Sequence, residues 1–102
     1  MIVKFNNDYL EKIYQNKETR KKPLYNEEVV IQFKKKVQIL KLIESTQELK
    51  KFKSLRFKPL KGERKGLFSI RVNQAYRLEF KIINEQTIEI IIIEELSNHY
   101  GD

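Results

Sequence analysis

Apolar residues in the first half of the chain recur every three or four positions, the spacing of one face of a helix. After a short predicted strand over Ile2–Phe5, Asp8 is the expected cap of a first helix. The stripe of this helix is formed by Tyr9, Leu10, Ile13 and Tyr14. Asn26 is the expected cap of a second helix. The stripe of the second helix is formed by Val29, Phe33, Val37 and Leu40.

A short third helical piece is predicted through Leu49 and Phe52, beyond Ser45 and Thr46. The aromatic residues at helical spacing are interpreted as core packing: Tyr9, Tyr14, Phe33 and Phe52.

From Ser54 onward the apolar period changes to two, which is typical of strands with one buried face. Four strands are predicted, over Ser54–Leu60, Leu67–Asn73, Tyr76–Ile83 and Thr87–Leu96. The segments between them contain Gly, Asn and Gln and predict short turns. The run Ile90–Ile93 is apolar on both faces, which favours an inner position for the last strand.

The order of these elements predicts an α+β fold. An N-terminal strand and two helices are expected to pack on a mainly antiparallel sheet of four further strands. A length of 102 residues is close to the usual size of one domain, so a single domain over residues 1–102 is expected.

The charge of the chain is strongly positive and unevenly distributed. Lysine and arginine number 21 against 14 for aspartate and glutamate, which gives a net charge of +7. Between Lys50 and Gly66 there are eight basic residues and a single acidic one, Glu63, and from Asn84 onward there is no lysine or arginine. Such a surface favours polyanionic partners, because counterions released from phosphates drive association.

The composition also limits the chemistry. The sequence has no cysteine, so disulfides and cysteine-ligated metals are excluded, and one histidine leaves few ligands for a transition metal. We therefore expect neither a metal nor a cofactor. No apolar run approaches the roughly 18 residues of a membrane span, and the first residues lack the apolar centre of a signal peptide. A cytoplasmic location is the expectation.

Three linked segments in the second half form a pattern: the basic stretch Ser54–Gly62 ending in Leu-Lys-Gly, the segment Leu67–Asn73 containing Ser-Ile-Arg-Val-Asn, and Tyr76–Phe80, which reads Tyr-Arg-Leu-Glu-Phe. This pattern resembles the HigB-like toxins of the RelE/ParE superfamily. In that family a basic strand ending in Leu-Lys-Gly meets a Ser-Ile-Arg-Val-Asn strand, and an aromatic-Arg-aliphatic strand follows. The order of the predicted elements agrees with the RelE-like fold across essentially the whole chain.

The resemblance implies a toxin of a type II toxin–antitoxin system, a ribosome-dependent messenger-RNA endonuclease that inhibits translation. It also implies a cognate antitoxin, a HigA-like protein encoded next door that binds DNA through a helix-turn-helix. When the 2′-hydroxyl of RNA attacks the adjacent phosphate, negative charge builds on the phosphoryl oxygens, and fixed cations stabilise it. An acid and a base are needed for the two proton transfers.

Three residues are predicted to be catalytic. Arg77 matches the arginine of the third segment and should face away from Tyr76 and Leu78, so its planar guanidinium is expected to clamp the scissile phosphate. Lys61 matches the lysine of Leu-Lys-Gly and would stabilise the phosphate or transfer a proton. His99 is the single histidine, a residue type suited to proton transfer near neutral pH.

Six further residues are predicted to bind RNA: Arg56, Lys58, Arg64, Lys65, Arg71 and Tyr100. The cations would contact phosphates, and Tyr100 would stack on a base. Two departures from the family pattern affect these assignments. Lys58 stands where some members have a histidine, and the tail reads His99-Tyr100 where members often end in an acidic residue followed by Tyr-His.

Two other functions remain open on the sequence. A ParE-like toxin shares the superfold but acts on DNA gyrase by binding, without nuclease activity. A non-catalytic basic RNA-binding module would have the same positive surface without toxicity. Growth arrest on induction, with and without the neighbouring reading frame, separates a toxin from such a module.

Overall fold

Three α-helices and five strands form the described part of the chain, residues 1–20 and 22–98 of a computed structural model. The helices are α1 (Asp8–Tyr14), α2 (Glu27–Leu42) and α3 (Thr46–Leu49). The strands are β1 (Ile2–Phe5), β2 (Lys58–Pro59), β3 (Phe68–Arg71), β4 (Tyr76–Glu85) and β5 (Ile88–Asn98). Two 3₁₀ turns, Lys53–Leu55 and Gly62–Arg64, flank β2. The predicted α+β order of elements is confirmed.

The strands form one mixed sheet in the order β1-β5-β4-β3-β2. β1 pairs with β5 in parallel, and the other neighbouring pairs are antiparallel. β5 therefore lies between β1 and β4, as its apolar run predicts. Ile91 and Ile93 are fully buried beneath the helices, and Ile90, which points to the opposite face, is 2% exposed. On the face away from the helices, Ile90 lies between Ile2 and Ile83 of the two neighbouring strands, so an apolar side chain is accommodated on this face as well.

The helices pack on one face of the sheet. The centre of this core is formed by Phe33, Val37 and Leu40 of α2 and by Ile70, Leu78 and Phe80 of the strands. Burying each such side chain contributes about 1.5–3 kcal/mol relative to leaving it exposed, so this layer holds α2 on the sheet. No helix within residues 1–20 and 22–98 is long and apolar enough to cross a membrane.

Asparagine caps the N-termini of both longer helices. Asn26 caps α2 as predicted, because its side-chain oxygen accepts a first-turn backbone N–H at 2.9 Å. The prediction that Asp8 caps α1 is wrong. Asn7 is the cap and accepts a backbone N–H at 3.1 Å, while Asp8 is the first helical residue. Both side chains are able to cap, and a tertiary hydrogen bond from Asn7 to the Glu94 carbonyl, at 3.1 Å, favours Asn7.

The segment Ser54–Leu60, predicted as a strand, is mostly a turn. The 3₁₀ turn ends at Leu55, Arg56 adopts a left-handed conformation with φ of 48°, and the strand is reduced to Lys58–Pro59. Packing explains the difference, because Leu55 is buried in the core while Phe57 stacks on an aromatic ring of β3 with centroids 5.5 Å apart. Alternating apolar residues can reach a core from a turn as well as from a strand.

Phe52 is not a core residue, contrary to its predicted role, because 43% of its surface is exposed. α3 ends at Leu49, before the apolar stripe reaches Phe52, and the buried side chains of Leu49 and Leu55 occupy the core on either side of it. The other predicted aromatic positions do pack on or within the core: Tyr9, Tyr14 and Phe33.

The face of the sheet that points away from the helices, called the open face below, has two unlike ends. Near the β4–β5 turn, Ile2 and Ile83 lie directly beside Ile90 on neighbouring strands and are 46% and 40% exposed. Together with Ile88, which is 49% exposed, they form an isoleucine patch. At the other end, the side chains of β3, β4 and β5 on this face are polar or charged.

Thr46, the first residue of α3, is tied to β5 by two hydrogen bonds to Glu89. Its hydroxyl donates to Oε2 at 2.5 Å and its backbone N–H donates to Oε1 at 2.8 Å. These bonds, the hydroxyl bond first, lower the pKa of Glu89. Because the folded pKa is lowered, the stabilisation is present above the pKa of the unfolded chain and is lost as the pH falls through the folded pKa.

Thr46→Val is therefore expected to reduce the free energy of unfolding by about 1 kcal/mol at neutral pH, since one hydrogen bond to a partly exposed carboxylate is lost. The difference from wild type should shrink as the pH falls through the lowered pKa of Glu89, because below it the carboxyl group is protonated in both proteins. Denaturant titrations at several pH values measure this difference. A loss that stays constant with pH would mean that Thr46 acts through packing alone.

Candidate functional site

Arg77 lies on the open face with its guanidinium fixed by two hydrogen bonds. Its Nε donates to the Ser69 hydroxyl at 2.9 Å, and its Nη2 donates to the Arg56 carbonyl at 2.6 Å. The side chain points away from Leu78, which is in the core, as the strand alternation predicts. Arg77 is 6% exposed. A guanidinium held from two directions keeps its plane in one orientation.

The strand register arranges the polar side chains of the open face in two rows. The first row is formed by direct partners on β3, β4 and β5, namely Arg71, Arg77 and Ser97. The second row is formed by direct partners on β2 to β5, namely Lys58, Ser69, Glu79 and Glu95. Direct partners point to the same face with Cβ atoms about 4.5–5.5 Å apart. The two rows therefore bring cations from three neighbouring strands onto one surface.

Glu79, in the second row, has no exposed surface and is bound from two directions. The Arg64 guanidinium reaches over from the 3₁₀ turn after β2 and pairs with Glu79 and, at 3.1 Å, with Glu95. The Ser97 hydroxyl donates to Glu79 Oε2 at 2.5 Å. Because a buried carboxylate needs such partners, this network fixes the Arg64 turn on the sheet. Among residues 1–20 and 22–98, no three acidic or histidine side chains form a group that could hold a metal.

Burial of polar groups in the described part of the chain is concentrated in the two rows. The residues concerned are Ser69, Arg77, Glu79 and Ser97, which are 0%, 6%, 0% and 8% exposed. Charged side chains are rarely buried in a small protein, and departures from this rule are expected at functional sites. The polar end of the open face is therefore the candidate site.

Lys61 and Lys65 flank the 3₁₀ turn Gly62–Arg64, and both side chains are exposed. Gly62 has a φ of +68°, a conformation that glycine adopts without steric cost, so the Leu-Lys-Gly motif makes the bend directly after Lys61. Arg64, three residues after Lys61, is bound to Glu79, so this turn is tied to the second row.

The structure also describes four other residues that are predicted to bind RNA. Arg56 is exposed and its carbonyl contacts Arg77, Lys58 is half-buried on β2, and Arg71 is half-buried with its Nε donating to the Asn73 carbonyl at 3.3 Å. Arg64 is engaged with two carboxylates of the protein itself. RNA contacts by these residues remain predictions.

His99 and Tyr100 lie outside the described residues. β5 ends at Asn98, which is paired with Tyr76, the neighbour of Arg77. The proposed roles of His99 and Tyr100 remain predictions.

Tyr25 closes the helix side of this end of the sheet. Its hydroxyl donates to the Leu96 carbonyl at 2.8 Å, and its ring contacts Tyr76 with centroids 5.6 Å apart. Burial raises the pKa of Tyr25, and the Glu95 carboxylate adds to the rise. The hydroxyl therefore stays protonated at neutral pH, and its hydrogen bond to Leu96 holds the chain before α2 against the end of β5.

Sequence reasoning missed three residues of the site, namely Ser69, Glu79 and Ser97. The sequence alone predicts that Glu79 lies on the same sheet face as Arg77, because it alternates with the core residues Leu78 and Phe80 and lies two positions from Arg77. The burial of Glu79 could not be predicted in this way, because the Arg64 side chain reaches it from another segment.

The fold is shared with solved toxins. It is similar to a YoeB/ParE toxin from Agrobacterium tumefaciens, with a TM-score of 0.54 and 17% identity over 98% of this chain and 100% of that chain. It is also similar to a mutant of YafQ from E. coli, with a TM-score of 0.55 and 13% identity over 95% of this chain and 91% of that chain. At such identities the likeness shows the fold alone, and this fold is the one that these toxins adopt.

The sequence identifies the family within this class. The HigB-like toxin family, described as the RelE-like toxin of the type II toxin–antitoxin system HigB, matches residues 3–94. The chain belongs to this family and is a toxin of a type II toxin–antitoxin system, which implies an antitoxin partner. A comparison with curated proteins gave no match.

Proposed function

We propose that this toxin is a metal-independent endoribonuclease that cuts messenger RNA on the translating ribosome and so inhibits translation. The observation that carries the proposal is the Arg77 guanidinium, oriented by Ser69 and Arg56 beside the cations Lys58 and Arg71 on one sheet face. Such an array suits a reaction in which a phosphate gains negative charge. Family membership supports the toxin assignment on which the proposal rests.

In the proposed reaction the ribose 2′-oxygen attacks the adjacent phosphorus while the bond from phosphorus to the 5′-oxygen of the next nucleotide breaks. The 2′-hydroxyl proton goes to a base and the leaving 5′-oxygen takes up a proton from an acid, which yields a cyclic phosphate and a 5′-hydroxyl end. Arg77 stabilises the charge on the phosphoryl oxygens, and Lys61 and His99 are the candidates for the proton transfers. Arg71, Lys58, Arg64, Lys65, Arg56 and Tyr100 hold the strand.

The Arg56 carbonyl is the group that a phosphate replaces on Arg77 in this proposal. It accepts from Arg77 Nη2 at 2.6 Å, the position in which a phosphoryl oxygen would be bound. Arg56 has a φ of 48°, a left-handed conformation that costs a residue with a side chain roughly 1–2 kcal/mol. Release of this strain favours movement of the Arg56 segment when RNA enters, which opens access to the buried guanidinium.

The proposed partners follow from the same surface. With few catalytic groups, the toxin relies on the ribosome to hold the message in the reactive geometry, and both act in the cytoplasm. The antitoxin, a HigA-like helix-turn-helix protein, neutralises the toxin by covering the basic surface with acidic and apolar groups. Charge complementarity speeds that encounter and makes it sensitive to salt.

Cleavage is expected on ribosome-bound message and to be weak or absent on the same RNA free in solution, because the ribosome supplies the positioning. Primer extension on messages from a purified translation system, with and without the toxin, measures the new ends. Efficient cutting of the naked RNA at the same sites would contradict ribosome dependence.

Co-expression provides the control. Growth arrest on induction should be relieved by the adjacent small reading frame, which should co-purify with the toxin. Arrest without any new message ends, together with inhibited gyrase supercoiling, would favour the ParE-like alternative instead.

A further inference from the structure

A short exposed turn precedes Arg56 of the candidate site in the chain. Between the buried residues Leu49 and Leu55, five consecutive residues are exposed: Lys50, Lys51, Phe52, Lys53 and Ser54. They are called the 50–54 turn here. Phe52 lies at its centre with lysines on both sides, and 43% of its surface is exposed. A single exposed apolar side chain is ordinary, but an aromatic ring between lysines is a specific combination.

The 50–54 turn is held in place by its own backbone. The Phe52 N–H donates to the Leu49 carbonyl at 3.2 Å, and the Phe52 carbonyl accepts from the Leu55 N–H at 3.0 Å. Leu49 and Leu55, which are 0% and 3% exposed, anchor both ends in the core. The ring is therefore carried on a fixed backbone, so that little conformational entropy is lost when a ligand binds it.

The turn is continuous with the candidate site. Arg56, whose carbonyl binds Arg77, follows Phe52 by four residues, and the Arg56 N–H donates to the Lys53 carbonyl at 3.1 Å. Four residues span at most about 14 Å, so Phe52 lies within that distance of Arg56 along the chain. One strand of nucleic acid can reach both positions.

The chemistry of the turn fits single-stranded RNA better than a protein partner. Lysine is depleted at protein interfaces, so the lysines of the turn do not favour a protein partner. A contiguous apolar surface, which protein partners usually cover, is found instead in the isoleucine patch at the other end of the open face. Sites for single strands instead combine basic groups that follow the backbone with aromatic rings on which bases stack.

We propose that Phe52 is a base-stacking platform for single-stranded RNA, with Lys51 and Lys53 binding the flanking phosphates. That this RNA is a messenger RNA with a phosphate bound at Arg77 rests on the proposed function. Phe52 thereby binds an unpaired base of the strand.

The test is the affinity of the purified toxin for a labelled, unstructured RNA of about 12 nucleotides, within the range of single-strand site sizes. Fluorescence anisotropy should show that Phe52→Ala weakens binding by about 5- to 150-fold, the usual effect of losing one base–aromatic stack. Phe52→Trp should retain the affinity, and Phe52→Leu, which is apolar without a π-face, should be as weak as Phe52→Ala. Leu42→Ala, at a residue that is 82% exposed on α2, is the matched control and should bind as wild type.

An abasic oligomer with the same phosphates separates stacking from charge. On it Phe52→Ala should bind as wild type, while Lys51→Gln should weaken binding to both oligomers. Unchanged RNA affinity in Phe52→Ala, or full affinity in Phe52→Leu, would overturn the proposal, as would a loss confined to antitoxin binding. If wild type binds RNA through Phe52 but cuts no message, the stacking site stands and the nuclease assignment fails.

Discussion

Arg77→Ala is expected to lower the rate of message cleavage by about 10²-fold or more, because the fixed cation that meets the developing phosphoryl charge is removed. Arg77→Lys should recover the rate only in part, since an ammonium lacks the planar fork of the guanidinium. Single-turnover cleavage of ribosome-bound message measures the effect. A folded Arg77→Ala protein with the wild-type rate would remove Arg77 from the site.

The structure adds a control to this experiment. Arg77 is buried and donates to Ser69 and to the Arg56 carbonyl, so its removal leaves two acceptors without this donor and is expected to cost about 1–3 kcal/mol of stability. Rates should therefore be compared at a temperature where all variants are folded. Ser69→Ala removes the hydrogen bond from Arg77 Nε but keeps the guanidinium, and should reduce the rate much less than Arg77→Ala.

Arg64→Ala is expected to lower the free energy of unfolding by about 1–3 kcal/mol, because the fully buried Glu79 loses its ion pair with Arg64. Because the side chain of Arg64 is 39% exposed, solvent screens the ion pair, and the loss of stability should be smaller than for a fully buried pair. In a Glu79→Gln background, which keeps the size of the side chain and removes its charge, Arg64→Ala should cost little. Denaturant titration of the four proteins gives the coupling energy, expected at about 1–2 kcal/mol.

Lys65→Ala is the matched control, since Lys65 is the exposed cation next to Arg64 and should change stability by less than about 0.5 kcal/mol. If the effects of Arg64→Ala and Glu79→Gln simply add, the ion pair does not hold the turn.

With the turn released, Lys61 also loses its position, so cleavage in Arg64→Ala should fall even where the protein is folded.

The sequence by itself determined much of the fold. The change of apolar period at Ser54 separates the helical half from the strands, and the isoleucine run gives the last strand its inner position. Alternation within Tyr76–Phe80 also sets Arg77 and Leu78 on opposite faces of the sheet, because successive strand residues point to opposite sides. These features are local consequences of the period, and they need no knowledge of the rest of the chain.

Other features were decided by the tertiary structure. The pairing of Arg64 with Glu79 and Glu95 joins residues that are 15 and 31 positions apart, and the burial that results has no local pattern. The exposure of Phe52 follows from the end of α3 at Leu49, which is set by how Leu49 and Leu55 fill the core. A period records which side chains prefer to avoid water, whereas the folded chain decides which of them find room in the core and which charges are covered by a distant segment.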